Sequence, residues 1–593
     1  MSRPSAQPGS GSSGGGCATA LALVMVVGVA ALLVWLWLAP TPSEPKPRVE
    51  AVVEAGDKAP PAQPVVEAPS PPAEEPFEPG PSPPPVADGA RVEIALSEPA
   101  ATLYGGAVSG DNEQHYRGLL REVAGPDAIF SADLGRAARE FVFAATELGR
   151  EPTSDIRDFL LRSSGALAGD TTFQHATSGS DAGAVLKRVL RDAIADPIDG
   201  DGPLIVGIGE VFVPARKVSR HIGVVATRLP IALQPLPRRV ERGAPWLLRG
   251  RLLVPVREIE ALVLAGDGSM REAEVKVDGD KVEVLVDVGD AVGAVDVQLV
   301  GQLPKGPGKL VQVRVEVGRP LPERAVFYLP ADETGLRDAR DAAALAWKLL
   351  NDDRRAAGLP ALSWDPALAP IAEDHSRDMR DNGFFGHRSP STGLHSDRLA
   401  RAGYAAARSA ENLALNVSIG EAERGLLASL GHRRNLLGKG FSHGAVGVVG
   451  EERTGGGRRW WLTQLFSRPM RPIDTRAEAD AFVAAIDQAR RRQGLASLQL
   501  DPGLAAVATT AAADAARGPL KGVGDAALES ARDQRLLGRR LRAWTAQTAT
   551  LDEITPPPAS LVPEAERIGV GMAQERTEGG GVGSIGVVVL IGE

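Results

Sequence analysis

Three short phrases between Asn382 and Asn435 concentrate the residues able to do chemistry: NGFFGHRSP, AENLAL and SLGHRRNLL. They carry His387, Glu411 and His432. The chain holds 8 histidines, five of them between His375 and His443. Imidazoles titrate near neutrality and ligate transition metals, and a carboxylate among them supplies charge or a base. Two imidazoles and one carboxylate suit Zn²⁺ and leave a coordination position open for water or a ligand. Metal-activated water would support hydrolysis, given a separate base. The usual companions of such chemistry are missing from the sequence. No H-E-x-x-H helix pairs a metal with a base, and no G-x-S-x-G turn presents a serine nucleophile. The single cysteine, Cys17, sits beside a long apolar run. Ser429, three residues before His432, reads as a helix-end residue satisfying backbone groups. His375 and His443 read as structural, and His395 reads as part of a loop over the cleft. Trp364, Trp460 and Trp461 read as core aromatics.

The elements that must position these side chains are legible. LRDARDAAALAWKLLNDDRRAAG is a helix stopping at Gly358, with Leu345 and Leu349 one turn apart. A second helix runs from Asp365-Pro366 to Gly383, with Asp365 as its cap and Pro366 in its first turn. A further helix is predicted around Ala422 to Leu430, and GAVGVVG and RRWWLTQLF pair as strands. Helices first and strands last give an α+β unit over residues 333–470.

The ordered pieces RRAAGLPALSWDPALAPIAEDHSRDM, GFFGHRSPSTG, AENLAL, GHRRNLL, GAVGVVG and WWLTQLF resemble the CAP superfamily, in its disulfide-free bacterial form. That superfamily comprises the cysteine-rich secretory, antigen 5 and pathogenesis-related 1 (SCP-domain) proteins. The resemblance covers less than a quarter of the chain but runs through six motifs in family order. It implies an α-β-α sandwich with a cleft lined by two His and two Glu that can hold zinc or another divalent ion. By motif position His387 and His432 match the histidines and Glu411 the first glutamate. The second glutamate has no matching position, although Glu421 and Glu423 lie in the shortened intervening segment.

The pattern has an internal echo. Arg354 to Ala372 (RRAAGLPALSWDPALAPIA) recurs as Arg490 to Ala508 (RRRQGLASLQLDPGLAAVA) at a constant offset of 136. Residues 475–593 therefore read as a degenerate CAP-like repeat. His375 aligns there with Ala511, and no histidine follows His443, so this copy cannot carry the site. LIVGIGEVFVP and HIGVVATR echo the closing strands more faintly, making residues 91–236 an α+β domain with a degenerate CAP-like pattern. Between them, residues 237–319 alternate apolar and polar positions over short runs, with a hairpin signal at Asp278-Gly279. That is a small β-sandwich, expected to be a spacer or adhesion module without chemistry.

Toward the N-terminus, Ala18 to Ala39 is a run of 22 residues without a charge, enough to cross ~30 Å of hydrocarbon. Trp35 and Trp37 stand at its interfacial end. It reads as an uncleaved transmembrane helix (18–39) with residues 1–17 as a cytoplasmic tail. Residues 40–90, rich in Pro, Glu and Ala, read as a disordered linker. Lys+Arg 66 against Asp+Glu 75 gives a net charge of −9, without the clustered cations that nucleic acid requires. One cysteine excludes intramolecular disulfides. Abundant Ala, Gly, Pro and Arg suggest a GC-rich bacterial genome. The sequence thus points to a single-pass protein with its bulk outside the cytoplasm, periplasmic or at the cell surface. The resemblance favours binding of a lipid, cell-wall fragment or partner. The alternatives are a metal-dependent hydrolase of peptide or cell-envelope substrate, and a structural adhesin with a vestigial pocket.

Overall fold

A computed structural model describes residues 48–55, 90–106, 112–178, 181–195, 201–213, 219–290, 292–330, 333, 335–453, 457–536, 540–576 and 582–593. The tail and the expected transmembrane helix lie outside these residues. Among the described residues no helix is long and apolar enough to cross a membrane. The chain divides into two compact units, one within Lys58–Pro472, the other combining Ile473–Glu575 and Ser584–Glu593 with the strand Arg48–Ala55.

In the larger unit, residues 339–469 form a sheet covered by helices on both faces. The elements are α1 (Ala339–Ala356), β1 (Ser363–Trp364), α2 (Leu368–Asp381), α3 (His395–Arg401), β2 (Ala406–Asn416), α4 (Ile419–Ala428), α5 (Leu430–Leu436), β3 (His443–Glu452) and β4 (Arg458–Pro469). The sheet order is β1-β3-β4-β2, with β1 parallel to β3 and the other pairs antiparallel. Asp338 caps α1 through the amides of Arg340 and Asp341. One face of α1 buries Ala342, Ala346 and Leu350 against Val446, Val448 and Leu462 of the sheet. Arg354 is buried at its end and spends its guanidinium on the carbonyls of Pro360, Leu436 and Gly438, the helix-terminus groups that otherwise lack partners. On the opposite face α2 lies so close to β3 that a Cβ at Gly447 would overlap the Ala372–Glu373 backbone. A glycine is the residue that permits this approach.

The same topology occurs twice more. In the N-terminal part the order is Ile129–Phe130, Leu204–Val213, Ser219–Arg228, Thr171–Ser178, with the first pair parallel. Gly207 there meets the helix Ala132–Leu148 as Gly447 meets α2. In the second unit the order is Gln499–Leu500, Arg567–Arg576, Val582–Gly592, Leu541–Thr548. Gly569 and Gly571 abut the backbone of the helix Pro502–Arg517. Arg490 repeats the role of Arg354, donating to the carbonyls of Ala496, Ser560, Val562 and Ala565. One strand departs from the sequence expectation. Arg48–Ala55, within the expected disordered linker, lies antiparallel along Leu541–Thr548.

The β-sandwich is present as two sheets. One is ordered Arg239–Val240, Gly306–Val317, Gly293–Leu303, Arg257–Leu264, Met270–Ala273; the other Val275–Asp278, Lys281–Asp287, Pro245–Leu252, Ile231–Leu233. Asp278-Gly279 does turn a hairpin, with Gly279 at φ +61°. Trp246, Val284, Val297 and Val313 are buried between the sheets, and Tyr104 of the N-terminal domain joins them. The sandwich is more than a spacer, because α5 packs on its strands Arg257–Leu264 and Gly293–Leu303 and Leu430 is buried with Leu262 and Met270.

Candidate functional site

The three side chains singled out in the sequence converge. His387 lies in the loop after α2, Glu411 within β2 and His432 on α5. His387 Nδ1 and Glu411 Oε1 are 3.0 Å apart, and the His387 and His432 rings have centroids 6.4 Å apart. The Glu411–His387 bond holds one ring nitrogen, the usual way a carboxylate orients an imidazole. Asn412 anchors the site from behind, donating to the His432 carbonyl at 3.1 Å and to Gln464 Oε1 at 3.2 Å.

Two further residues belong to this cluster. Arg398 on α3 binds Glu411 Oε2 directly, and its guanidinium also reaches the Gly393 carbonyl at 2.7 Å. His375 on α2, read from the sequence as structural, lies 3.9 Å from Glu411 Oε1. Neither of its ring nitrogens has a hydrogen-bond partner among the described residues. Burial pushes His375 down to about 4 despite the nearby Glu411. Burial alone would raise the pKa of Glu411, but the His387 hydrogen bond and the charge of Arg398 outweigh it, and the carboxyl stays well below its ordinary range. His432 is pushed down to about 3 by burial and by His387, against the opposing Asp170. It is neutral at physiological pH, offering one N–H and one lone pair instead of a charge.

Several expectations need correction. His395 is the first residue of α3 instead of a loop residue, half-buried, with its pKa lowered by burial. Trp364 is 43 % exposed, edge-on to Trp347, whereas Trp460 and Trp461 are core. Ser429 is the residue before α5, and its hydroxyl accepts from Gln298 of the sandwich. Glu421 is buried beside Arg150, 3.9 Å away. Glu423 is buried against Gln464 Nε2 at 2.6 Å, its pKa raised by burial and by Asp353.

Glu411 is committed on one oxygen to Arg398 and on the other to His387. Among the described residues no group of three His, Cys, Asp or Glu side chains is disposed to hold an ion. With both Glu411 oxygens engaged, the arrangement does not fit a chelate.

His387 and His432 open onto a cavity of about 350 Å³. Its walls come from three parts of the larger unit: α4 and the end of β2; Lys309 and Gln312 of the sandwich; and Arg157, Asp170 and Phe173 of the N-terminal domain. No local sequence signal reveals the last two contributions, since Asp170 and Lys309 belong to other domains, far along the chain from the histidines.

Residues 347–466 match the model of the cysteine-rich secretory protein family, CAP. The chain therefore carries a CAP domain. Among curated proteins it is similar to the uncharacterized membrane protein YlbC of Bacillus subtilis (strain 168), 40% identical over 92 residues, which are 15% of this chain and 27% of that protein. It is also similar to the uncharacterized protein YkwD of the same organism, 34% identical over 103 residues, 17% of this chain and 40% of that protein. The chain thus spans well under half the length of either relative. Among solved structures, an extracellular SCP-domain protein from Bacillus anthracis str. Ames has 23% identity over 38% of this chain and 82% of its own, with a TM-score of 0.20. A cysteine-rich secretory protein from Staphylococcus aureus subsp. aureus Mu50 has 14% identity over 37% and 76%, with a TM-score of 0.18. At these scores the likenesses are partial and carry no further argument.

Proposed function

We propose that this chain is a membrane-anchored receptor outside the cytoplasm whose CAP cleft binds a lipid, a cell-envelope component or a partner through His387 and His432, oriented by Glu411. The observation that carries the reading is the convergence of two differently held imidazoles on one cavity of about 350 Å³, a size suited to a small ligand or one residue of a larger one. Binding is favoured over hydrolysis because Glu411 is neutralised by Arg398 and has little capacity left as a general base. The uncharged run 18–39 supports the anchor, and the name of the relative YlbC is in keeping with it.

The test is retention of purified envelope lipids and soluble cell-wall fragments by the full chain in detergent, beside His387→Ala and His432→Ala. At least a tenfold loss in both folded variants is expected. Equal retention by wild type and both variants would refute the cleft as the binding site, and turnover of a fragment would replace binding with hydrolysis.

A further inference from the structure

The cavity holds an ion pair made by two residues outside the CAP domain. Lys309 Nζ of the sandwich and Asp170 Oδ1 of the N-terminal domain are 2.6 Å apart, with 20% and 49% of their side-chain surfaces accessible. Both line the cavity together with His387 and His432. The Asp170 backbone is fixed by buried Thr227, whose hydroxyl accepts from the Gly169 amide at 3.1 Å and donates to the Asp170 carbonyl at 2.7 Å. The main chain is thus held while the carboxylate projects into open space. The ammonium of Lys309 pairs with that carboxylate, and the imidazoles of His432 and His387 line the same cavity. An ammonium and imidazoles facing one cavity can together receive an oxyanion, and here the ammonium is occupied by the protein's own carboxylate.

We propose that the cleft is an oxyanion site, taking a carboxylate or phosphate group of its ligand between Lys309, His387 and His432, with the Asp170 side chain holding that position until a ligand displaces it. The inference rests on the cleft being the ligand site and adds the chemistry of the group that enters. It makes Asp170 an intramolecular competitor. A tethered carboxylate acts at an effective concentration on the order of millimolar or above, so the resting site turns away weak anions. It yields to ligands that gain further contacts, such as those along the wall near Phe173 and Arg157.

The experiment titrates the full chain in detergent with inorganic phosphate and, separately, acetate, following the imidazole ¹⁵N signals of His387 and His432. Phosphate should bind Asp170→Asn at least tenfold more tightly than wild type and shift both imidazoles. Asp170→Asn with Lys309→Met should lose the gain. Asp170→Ser serves as the second variant should the asparagine variant fold poorly, and wild type at saturating phosphate must shift the same two signals. Equal affinity of wild type and Asp170 variants, or undiminished binding without Lys309, would overturn the proposal. Vesicles of phosphatidic acid competing with phosphate would place the oxyanion on a lipid headgroup. Competition by acetate alone would place it on a soluble carboxylate; both support the site. If envelope ligands still depend on His387 and His432 while phosphate moves neither imidazole, the oxyanion inference fails and the cleft reading survives.

Discussion

Gln298 should be the residue through which the β-sandwich controls the cleft. Its side chain is 1 % exposed. It accepts from the Gly431 amide at 2.6 Å and donates to Ser429 Oγ at 3.1 Å. The α5 helix that carries His432 has no side-chain cap of its own, so an acceptor from another domain satisfies one of its first amides. Gln298→Ala leaves that amide without its acceptor, at about 1–3 kcal/mol, and removes a second hydrogen bond worth about 1 kcal/mol. A local loss of about 2–3 kcal/mol follows, because water at the half-buried Gly431 recovers part. Gln298→Glu keeps the acceptor at a helix N-terminus, where a negative charge is favoured, and should restore much of α5; Gln298→Met fills the space but should not. Hydrogen–deuterium exchange of the α5 amides reads the stability of that helix, and the His432 imidazole signal reads the site. Protection within a few-fold of wild type in Gln298→Ala, or equal rescue by methionine and glutamate, would refute the argument that the sandwich positions His432.

Three further outcomes are expected. Arg398→Met strips the buried Glu411 of its countercharge and should cost about 3–5 kcal/mol in urea unfolding, with Glu411→Gln recovering much of the loss. For pH, His375 goes from 6.5 to about 4 on folding, so the unfolded chain binds a proton that the folded chain refuses. Stability should therefore fall as pH drops from about 6.5 toward 4, by roughly 3 kcal/mol from this group, with Glu411, Arg398, His387 and Asp378 facing it. His375→Leu should flatten that slope, and an unchanged slope would clear His375 of the role. Zinc calorimetry on the full chain is expected to show no tight site dependent on Glu411. A single micromolar site lost in His387→Ala, His432→Ala and Glu411→Gln would show that Glu411 can leave Arg398 for a metal.

The match between sequence and structure differs by residue and for identifiable reasons. His387, Glu411 and His432 were legible because each sits in a phrase whose neighbours fix its own local geometry: Gly386 before the first, Asn412 beside the second, a helix start before the third. The repeat in residues 475–593 was legible through the motif recurring at a constant offset and the N-terminal copy through a fainter echo of the closing strands; the structure shows that strand glycines such as Gly207, Gly447 and Gly569 let a helix backbone approach in each. Arg398 was not singled out because its role depends on Glu411 thirteen residues away on another element. His375 looked like a core histidine because helix periodicity reports which face is buried and says nothing of what lies opposite.

Readable in the sequence alone were the CAP motifs, the echo at a constant offset, the period-two strands and the phrases that carry His387, Glu411 and His432, since propensity, period and turn chemistry act within a few residues of chain. The tertiary structure decided what surrounds the cleft. It turned the sandwich from a spacer into the support of α5, committed Glu411 to an arginine, and brought Asp170 and Lys309 to the histidines. Apart from the Glu411–Arg398 pair, those contacts join residues of different domains, far apart along the chain. They follow from how whole domains pack inside one compact unit, which no local pattern encodes.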